Sequence, residues 1–444
     1  MKKHSHAILL LLILVFPAVI LNAQEESLVP EAVDSLNNKI ENVRTDIELL
    51  KRLKVTGYIQ AQWQIADTAG APTNFSGGAM PKNADNRFAV RRGRVKFTYE
   101  NELSTYVLQL DGTEKGVAIK DAYVAVKEPW LQFATLTAGV FDRPFGYEIS
   151  YSSSSRETPE RSRIFQTLFP GERDLGAKLT LQPKKGSRFD WIRLDAGLFA
   201  GNGINSEFDK RKDFIGRLGM AKSNRKENFK YGLGVSYYSG GVFQGTKFVY
   251  TPGTMADGST TGFLPDSTAS NKADFAQRQY LGADLQLSLF SAIGISTIRA
   301  EYITGKQPGG KSGNTSISSG SAPDYDTYIR DFSGGYIYFI QNIGQTRNQL
   351  VVKYDWLDPN TKVNGENIKS RSTDGKSAGL NNADIRYTTL GLGWNYRFNS
   401  QVKLTAYYEI VKNEETAISG ANSLNNYTKD LKDNVFTLRL QYKF

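Results

Sequence analysis

The chain has 444 residues, a formal net charge of +10, 41 glycines, 23 tyrosines, 24 phenylalanines and no cysteine. Without cysteine there is neither a disulfide framework nor a thiolate metal site. The only histidines, His4 and His6, lie at the extreme N-terminus. A mature chain lacking them excludes Ser-His-Asp and Cys-His catalysis and His-bearing zinc centres, so no enzyme and no cofactor is expected.

Residues 1–23 read as a secretory signal peptide. Lys2 and Lys3 supply the positive start, Ala7 to Leu21 the apolar run, and Leu21-Asn22-Ala23 a cleavage site. The competing reading is a membrane anchor, but fifteen apolar residues interrupted by Pro17 fall short of the ~20 a spanning helix needs. Removal lowers the formal charge from +10 to +8, since Lys2 and Lys3 leave with it.

Residues 24–54 are expected to form a periplasmic helical or coiled-coil segment. Val29, Val33, Leu36, Ile40, Val43, Ile47 and Leu50 recur at alternating spacings of four and three, a heptad seam. Glu31, Asp34, Lys39, Glu41 and Arg44 fall outside that seam. The alternative is an amphipathic helix docked on its own chain.

From Val55 the hydrophobic period becomes two, in segments of about ten residues, which is the pattern of a transmembrane barrel. Strands are predicted at 55–65, 87–99, 103–111, 117–127, 131–140, 174–182, 190–200, 213–222, 229–239, 278–290, 293–303, 332–341, 347–357, 385–398, 401–411 and 434–444. No later apolar run reaches the length of a membrane helix. Only helices and closed barrels satisfy every backbone group in lipid, so the fold class is an all-β membrane protein, a 16-stranded antiparallel transmembrane β-barrel over 55–444.

Link lengths support the same reading. Long links at 66–86, 141–173, 240–277, 304–331, 358–384 and 412–433, with a longer one at 112–116, alternate with brief turns such as Glu128-Pro129-Trp130, Ser291-Ala292 and Asn399-Ser400. Tight turns on one rim and loops on the other are typical of outer-membrane barrels. The last strand, Val435 to Phe444, alternates to its final residue, with Phe436, Leu438, Leu440, Tyr442 and Phe444 on the lipid side. Closure against the first strand would remove an exposed apolar edge.

If apolar positions face lipid, the opposite parity lines the lumen. That turns Arg92, Arg94, Lys96, Lys178, Arg193, Arg217, Arg278, Arg299, Lys353, Arg397, Lys403 and Arg439 inward, against Asp121, Asp195, Asp284, Glu301, Asp355 and Glu409. A bulge at Arg91-Arg92 would break this register. Twelve basic groups against six acids favour anions, although any aqueous wall carries charge and the two signs also neutralise each other. Dispersal by strand parity, without a basic cluster, argues against nucleic acid as a partner. The link 141–173 adds Arg143, Arg156, Arg161, Arg163 and Arg173, set against Asp142, Glu148, Glu157, Glu160 and Glu172, and the apolar stretch Ile164 to Phe169. It is expected to fold inward as a constriction, with an external lid as the alternative.

Four segments resemble the phosphate-selective porin family of the O and P type. They are Gly57-Tyr58-Ile59-Gln60-Ala61-Gln62-Trp63, Arg87-Phe88-Ala89-Val90-Arg91-Arg92-Gly93-Arg94, Gly139 to Gly146 and Glu172 to Leu179. The resemblance implies a sixteen-stranded homotrimeric barrel whose third outer loop folds inward, and passage of anions, phosphate among them. The expected function is passive diffusion of small anionic or polar solutes across the outer membrane. The candidate anion-binding residues are Arg92, Arg94, Lys96, Arg143, Arg156, Arg161, Arg163, Lys178, Arg193, Arg217 and Arg439. The competing readings are a sugar or other nutrient channel and an adhesin or receptor barrel with a closed lumen.

Overall fold

A computed structural model describes residues 33–256, 258–259, 261–368, 379–417 and 425–444. The signal segment 1–23 and the first heptad position, Val29, lie outside the described residues. Two compact units are separated at Lys54 and Val55.

In the first unit, residues 33–51 form a helix, α1. Its exposed flank carries ion pairs one turn apart, Glu41 with Arg44 and Glu48 with Lys51, each at 2.8 Å. The apolar seam is exposed as well: Val33, Leu36, Ile40, Val43, Ile47 and Leu50 are all at least 42% accessible.

In the second unit, eighteen strands make one sheet among the described residues. They are β1 (Leu53–Ala66), β2 (Asn86–Glu100), β3 (Ser104–Thr113), β4 (Gly116–Lys127), β5 (Ala134–Asp142) and β6 (Arg173–Leu181). Next come β7 (Ile192–Phe199), β8 (Asp213–Ser223), β9 (Phe229–Phe243), β10 (Val249–Thr254), β11 (Thr261–Asp266) and β12 (Phe275–Ser291). The last are β13 (Gly294–Gly309), β14 (Thr327–Asn342), β15 (Asn348–Asp358), β16 (Tyr387–Arg397), β17 (Val402–Asn413) and β18 (Val435–Lys443). A short helix, α2 (Arg163–Leu168), lies between β5 and β6.

Sixteen strands pair antiparallel in sequence order, with β9 joined directly to β12. The ring closes where β1 meets β18, antiparallel, with Ile59 opposite Tyr442 and Trp63 opposite Leu438. Closure satisfies both edges, which an open sheet of this size could not do in lipid. On β18, Leu438, Leu440 and Tyr442 are exposed, whereas Thr437, Arg439 and Gln441 are buried. Polar and charged groups thus turn to the interior and apolar groups to the outside, which inverts the order of a soluble protein.

The structure differs from the sequence reading in four places. The link read as bare loop over 240–277 holds the hairpin β10–β11, which is outside the ring and touches it through a short parallel pairing of Val249 and Tyr250 with Thr327 and Tyr328. Its strands contain Pro252 and Pro265, so they lack the plain alternation of a membrane strand. Strands β13 and β14 run several residues further into the link at 304–331. The link between β3 and β4, read as a longer one, is only Glu114 and Lys115. Finally, the β3–β4 register slips between Gln109 and Leu110. On β2, the sequence neighbours Arg91 and Arg92 both reach Glu160, so alternation also breaks there.

Candidate functional site

The lumen takes its shape from the chain between β5 and β6, which folds into the barrel. Entry depends on a turn at Gly146, whose φ of +64° is the left-handed region and whose absent side chain leaves room for the Glu301 carboxylate. That carboxylate accepts the backbone N–H groups of Tyr147 at 2.5 Å and Glu148 at 2.8 Å, and the hydroxyl of Tyr336. Before the turn, Arg143 binds Asp174 at 3.0 Å, and Gly146 N donates to Ser236 Oγ at 2.9 Å.

The segment then runs along the wall formed by β1 and β16–β18. Five wall side chains donate to five of its carbonyls. Gln60 reaches Ser153 O (3.0 Å), Gln441 reaches Ser154 O (2.9 Å), and Lys403 reaches Arg156 O (2.8 Å). Asn395 reaches Glu157 O (2.9 Å) and Arg439 reaches Pro159 O (2.7 Å). Glu160 completes this contact as a hub for Arg91, Arg92 and Arg439, at 2.8, 2.7 and 2.9 Å. Burial opposes its ionisation, but the three guanidiniums prevail and hold its carboxyl well below the usual range.

On the return, α2 packs its apolar face against the opposite wall. Phe165 lies 6.1 Å from the Tyr336 ring, and Phe169 lies 5.8 Å from Tyr280 and 6.1 Å from Tyr238. Ile164, Phe165 and Phe169 are wholly buried. Arg163 is held between two rings, Phe75 at 4.3 Å and Tyr387 at 4.0 Å. At the exit Glu172 pairs with Arg161, with Lys120 (2.7 Å) and with Arg173 (2.9 Å).

What stays open lies on the other side, along β2–β7. A void of about 800 Å³ is bordered there by Arg94, Lys96, Lys127, Arg161, Arg173, Lys178, Lys184, Lys185 and Arg193, with only Asp121 and Asp142 as acids. Tyr58, Tyr123, Phe133, Phe141 and Tyr151 also border it. A second void of about 400 Å³ shares Asp142, Ser150, Lys178, Gln182 and Arg193 with the first and adds Arg217.

The residues singled out in the sequence therefore separate into two groups. Arg94, Lys96, Arg161, Lys178 and Arg193 border the larger void, and Arg217 borders the smaller. Several of these also hold carboxylates: Arg94 with Asp111 (2.8 Å), Lys178 and Arg193 with Asp195 (3.3 and 2.7 Å), and Arg217 with Asp284 (2.6 Å). Arg92, Arg156, Arg163 and Arg439 do not border either void. Arg92, Arg163 and Arg439 fix the inward segment, whereas Arg156 is buried with no hydrogen-bond partner for its guanidinium among the described residues. Arg143 borders the smaller void, and its Nε is bound to Asp174. Sequence reasoning named Arg173 in the link but missed Lys127, Lys184 and Lys185. All three lie at or beyond strand ends, where parity says nothing.

No protein-family model matches the chain, and no curated protein matches it. Solved structures do. The outer membrane channel DcaP of Acinetobacter baumannii aligns with 88% of this chain and 97% of its own, at 12% identity and a TM-score of 0.50. An anion-selective porin from Comamonas acidovorans gives 8% identity, 88% and 99% coverage and a TM-score of 0.49. OmpT of Vibrio cholerae gives 11% identity, 88% and 97% coverage and a TM-score of 0.47. The likeness to DcaP is one of fold. A closed ring of sixteen strands with an apolar exterior spans a membrane, and barrels of this kind reside in the bacterial outer membrane. The chain is an outer-membrane β-barrel with a porin-like channel fold.

Proposed function

We propose that this chain is a passive diffusion channel for small solutes that prefers anions. The observation that carries this reading is the border of the larger void, nine basic residues against two acids. Lys96, Lys127, Lys184 and Lys185 have no ion pair among the described residues, so their charge is uncompensated close by. A water-filled passage with such a wall concentrates anions within it. Phosphate is the narrower candidate. Arg94, Arg161 and Arg173 already hold carboxylates, which leaves lysine point charges without the planar fork that grips an oxyanion. Broad anion passage therefore fits better than strict phosphate selectivity. The aromatic residues on the same border favour a second reading, a lane for sugars.

We further infer that residues 1–23 are removed on export and that 24–54 form a periplasmic coiled coil supporting a homotrimer. The exposed heptad seam of α1 supports this, because an uncovered apolar stripe of that period suits copies of itself.

Conductance of the purified full protein in a planar bilayer under a KCl gradient tests the channel. The expected result is open channels with a reversal potential of the anion-selective sign. The Lys96→Glu, Lys127→Glu double variant should move that potential toward cations. No channels, or a cation-selective wild type, would overturn the reading. Added phosphate should reduce chloride current only weakly, and sugar entry in liposome swelling would favour the second reading.

A further inference from the structure

The outer wall of the barrel carries a groove that transport does not use. It lies where β9, β12, β13 and β14 approach the rim with the long links, which in this class of barrel faces away from the cell. Its volume is about 480 Å³. Across these strands one outward row reads Tyr237, Leu281, Thr304 and Ser333, and the next row toward the rim reads Ser239, Gln279, Lys306 and Asp331. Small side chains at Thr304 and Ser333, beside Gly305, leave a hollow next to the bulky Tyr237 and Leu281.

The chemistry of this hollow changes with height. Leu281 is 54% and Tyr237 39% accessible, and both continue the apolar belt below. A cluster of aromatics, the exposed Tyr302 and Tyr354 and the half-buried Trp356, sits beside it, with ring centroids 6.4 and 6.0 Å apart. Such rings mark the boundary between hydrocarbon and headgroups. Above them the groove is polar and basic. Lys306 turns outward with no ion pair among the described residues, and Lys362 overhangs from the link after β15. The single acid, Asp331, stands 3.9 Å from Lys362, with both side chains solvent-accessible, so that lysine is only loosely held. Gln279 adds an amide fixed on the Tyr237 hydroxyl at 2.8 Å.

We propose that this groove binds a phosphorylated glycolipid of the outer leaflet, with an acyl chain against Leu281 and Tyr237 and a headgroup phosphate between Lys306 and Lys362. An apolar lower half continuous with the lipid-facing belt, under a basic upper half at headgroup height, matches that amphiphile. A zwitterionic phospholipid offers the lysines one phosphate already offset by its own cation, and a soluble anion leaves the apolar half unused. The proposal does not depend on what passes through the lumen.

Native mass spectrometry of the full protein with added bisphosphorylated lipid A tests it, with the fully dephosphorylated lipid as comparison. The expected result is retention of lipid A, at least several-fold less retention of the dephosphorylated form, and a similar loss in Lys306→Gln, Lys362→Gln. Lys306→Arg, Lys362→Arg should retain binding, and heat-modifiable mobility on gels checks that each variant folds. Equal retention of both lipids, or full retention by the glutamine variant, would overturn the proposal. Loss of oligomers in that variant with lipid binding unchanged would assign the groove to a second copy of the chain and equally overturn it.

Discussion

Glu160 concentrates the electrostatics of the inward segment in one carboxylate. Three buried or half-buried guanidiniums converge on it, so removing its charge strands all three, and breaking a buried pair this way costs about 3–5 kcal/mol. Glu160→Gln is expected to release the segment from the β1–β2–β18 wall, seen as a larger and noisier single-channel conductance. The pH dependence follows from the direction of the shift. A carboxyl held below its usual value contributes its full stability above the ordinary Glu pKa, ~4.3, and loses it only as pH falls through the lower folded value. Glu160 itself should therefore contribute no change in conductance from pH 8 to about 5 and raise it only in stronger acid. A rise in stronger acid of the same size in Glu160→Gln as in the parent would show that Glu160 does not hold the segment. The inward direction of Arg92 could be read from alternation, but its partner could not. Glu160 lies 68 residues away, within a link that has no period to read. Arg92→Glu should accordingly disturb the segment, whereas substitution of Lys96 acts on ion selectivity.

Among elements, the strands were the most legible, because lipid outside and water inside impose a period of two on nearly every one. The hairpin β10–β11 escaped since it lies beyond the membrane, where neither constraint applies. The inward course of the segment between β5 and β6 was suggested by its length and by Ile164 to Phe169, but its anchoring was not. Hydrogen bonds from wall side chains to backbone carbonyls leave no mark on the segment's own residue types. Its apolar half does leave a mark. Phe169 packs among Phe145, Tyr238 and Tyr280, so Phe169→Ala should cost about 3–5 kcal/mol of docking energy while the barrel still forms. Limited proteolysis should then cut within 143–172 in the variant at protease concentrations that spare the parent. Equal resistance would mean that the carbonyl contacts alone hold the segment.

At the scale of the whole molecule, ring closure was legible in the terminal strand, whose apolar edge required a partner. Oligomer number was not, since a three-heptad seam is compatible with several bundles. Ile40→Glu with Ile47→Glu places charges in that seam and leaves the barrel untouched. The expected outcome is dissociation of the proposed homotrimer to monomers by light scattering at unchanged channel conductance, and an unchanged oligomer would remove α1 from the assembly. The segment crossing the lumen has a further consequence. It is suspended in part by its carbonyl oxygens at Ser153, Ser154, Arg156, Glu157 and Pro159. Every amino acid supplies that oxygen, so the bracket is indifferent to what the segment displays. Ser154 and Pro159 could be rewritten one by one while the span keeps its course, whereas Ser153 and Glu157 also bind Tyr58 and Arg299 through their side chains, which separates the upkeep of the scaffold from the tuning of its contents.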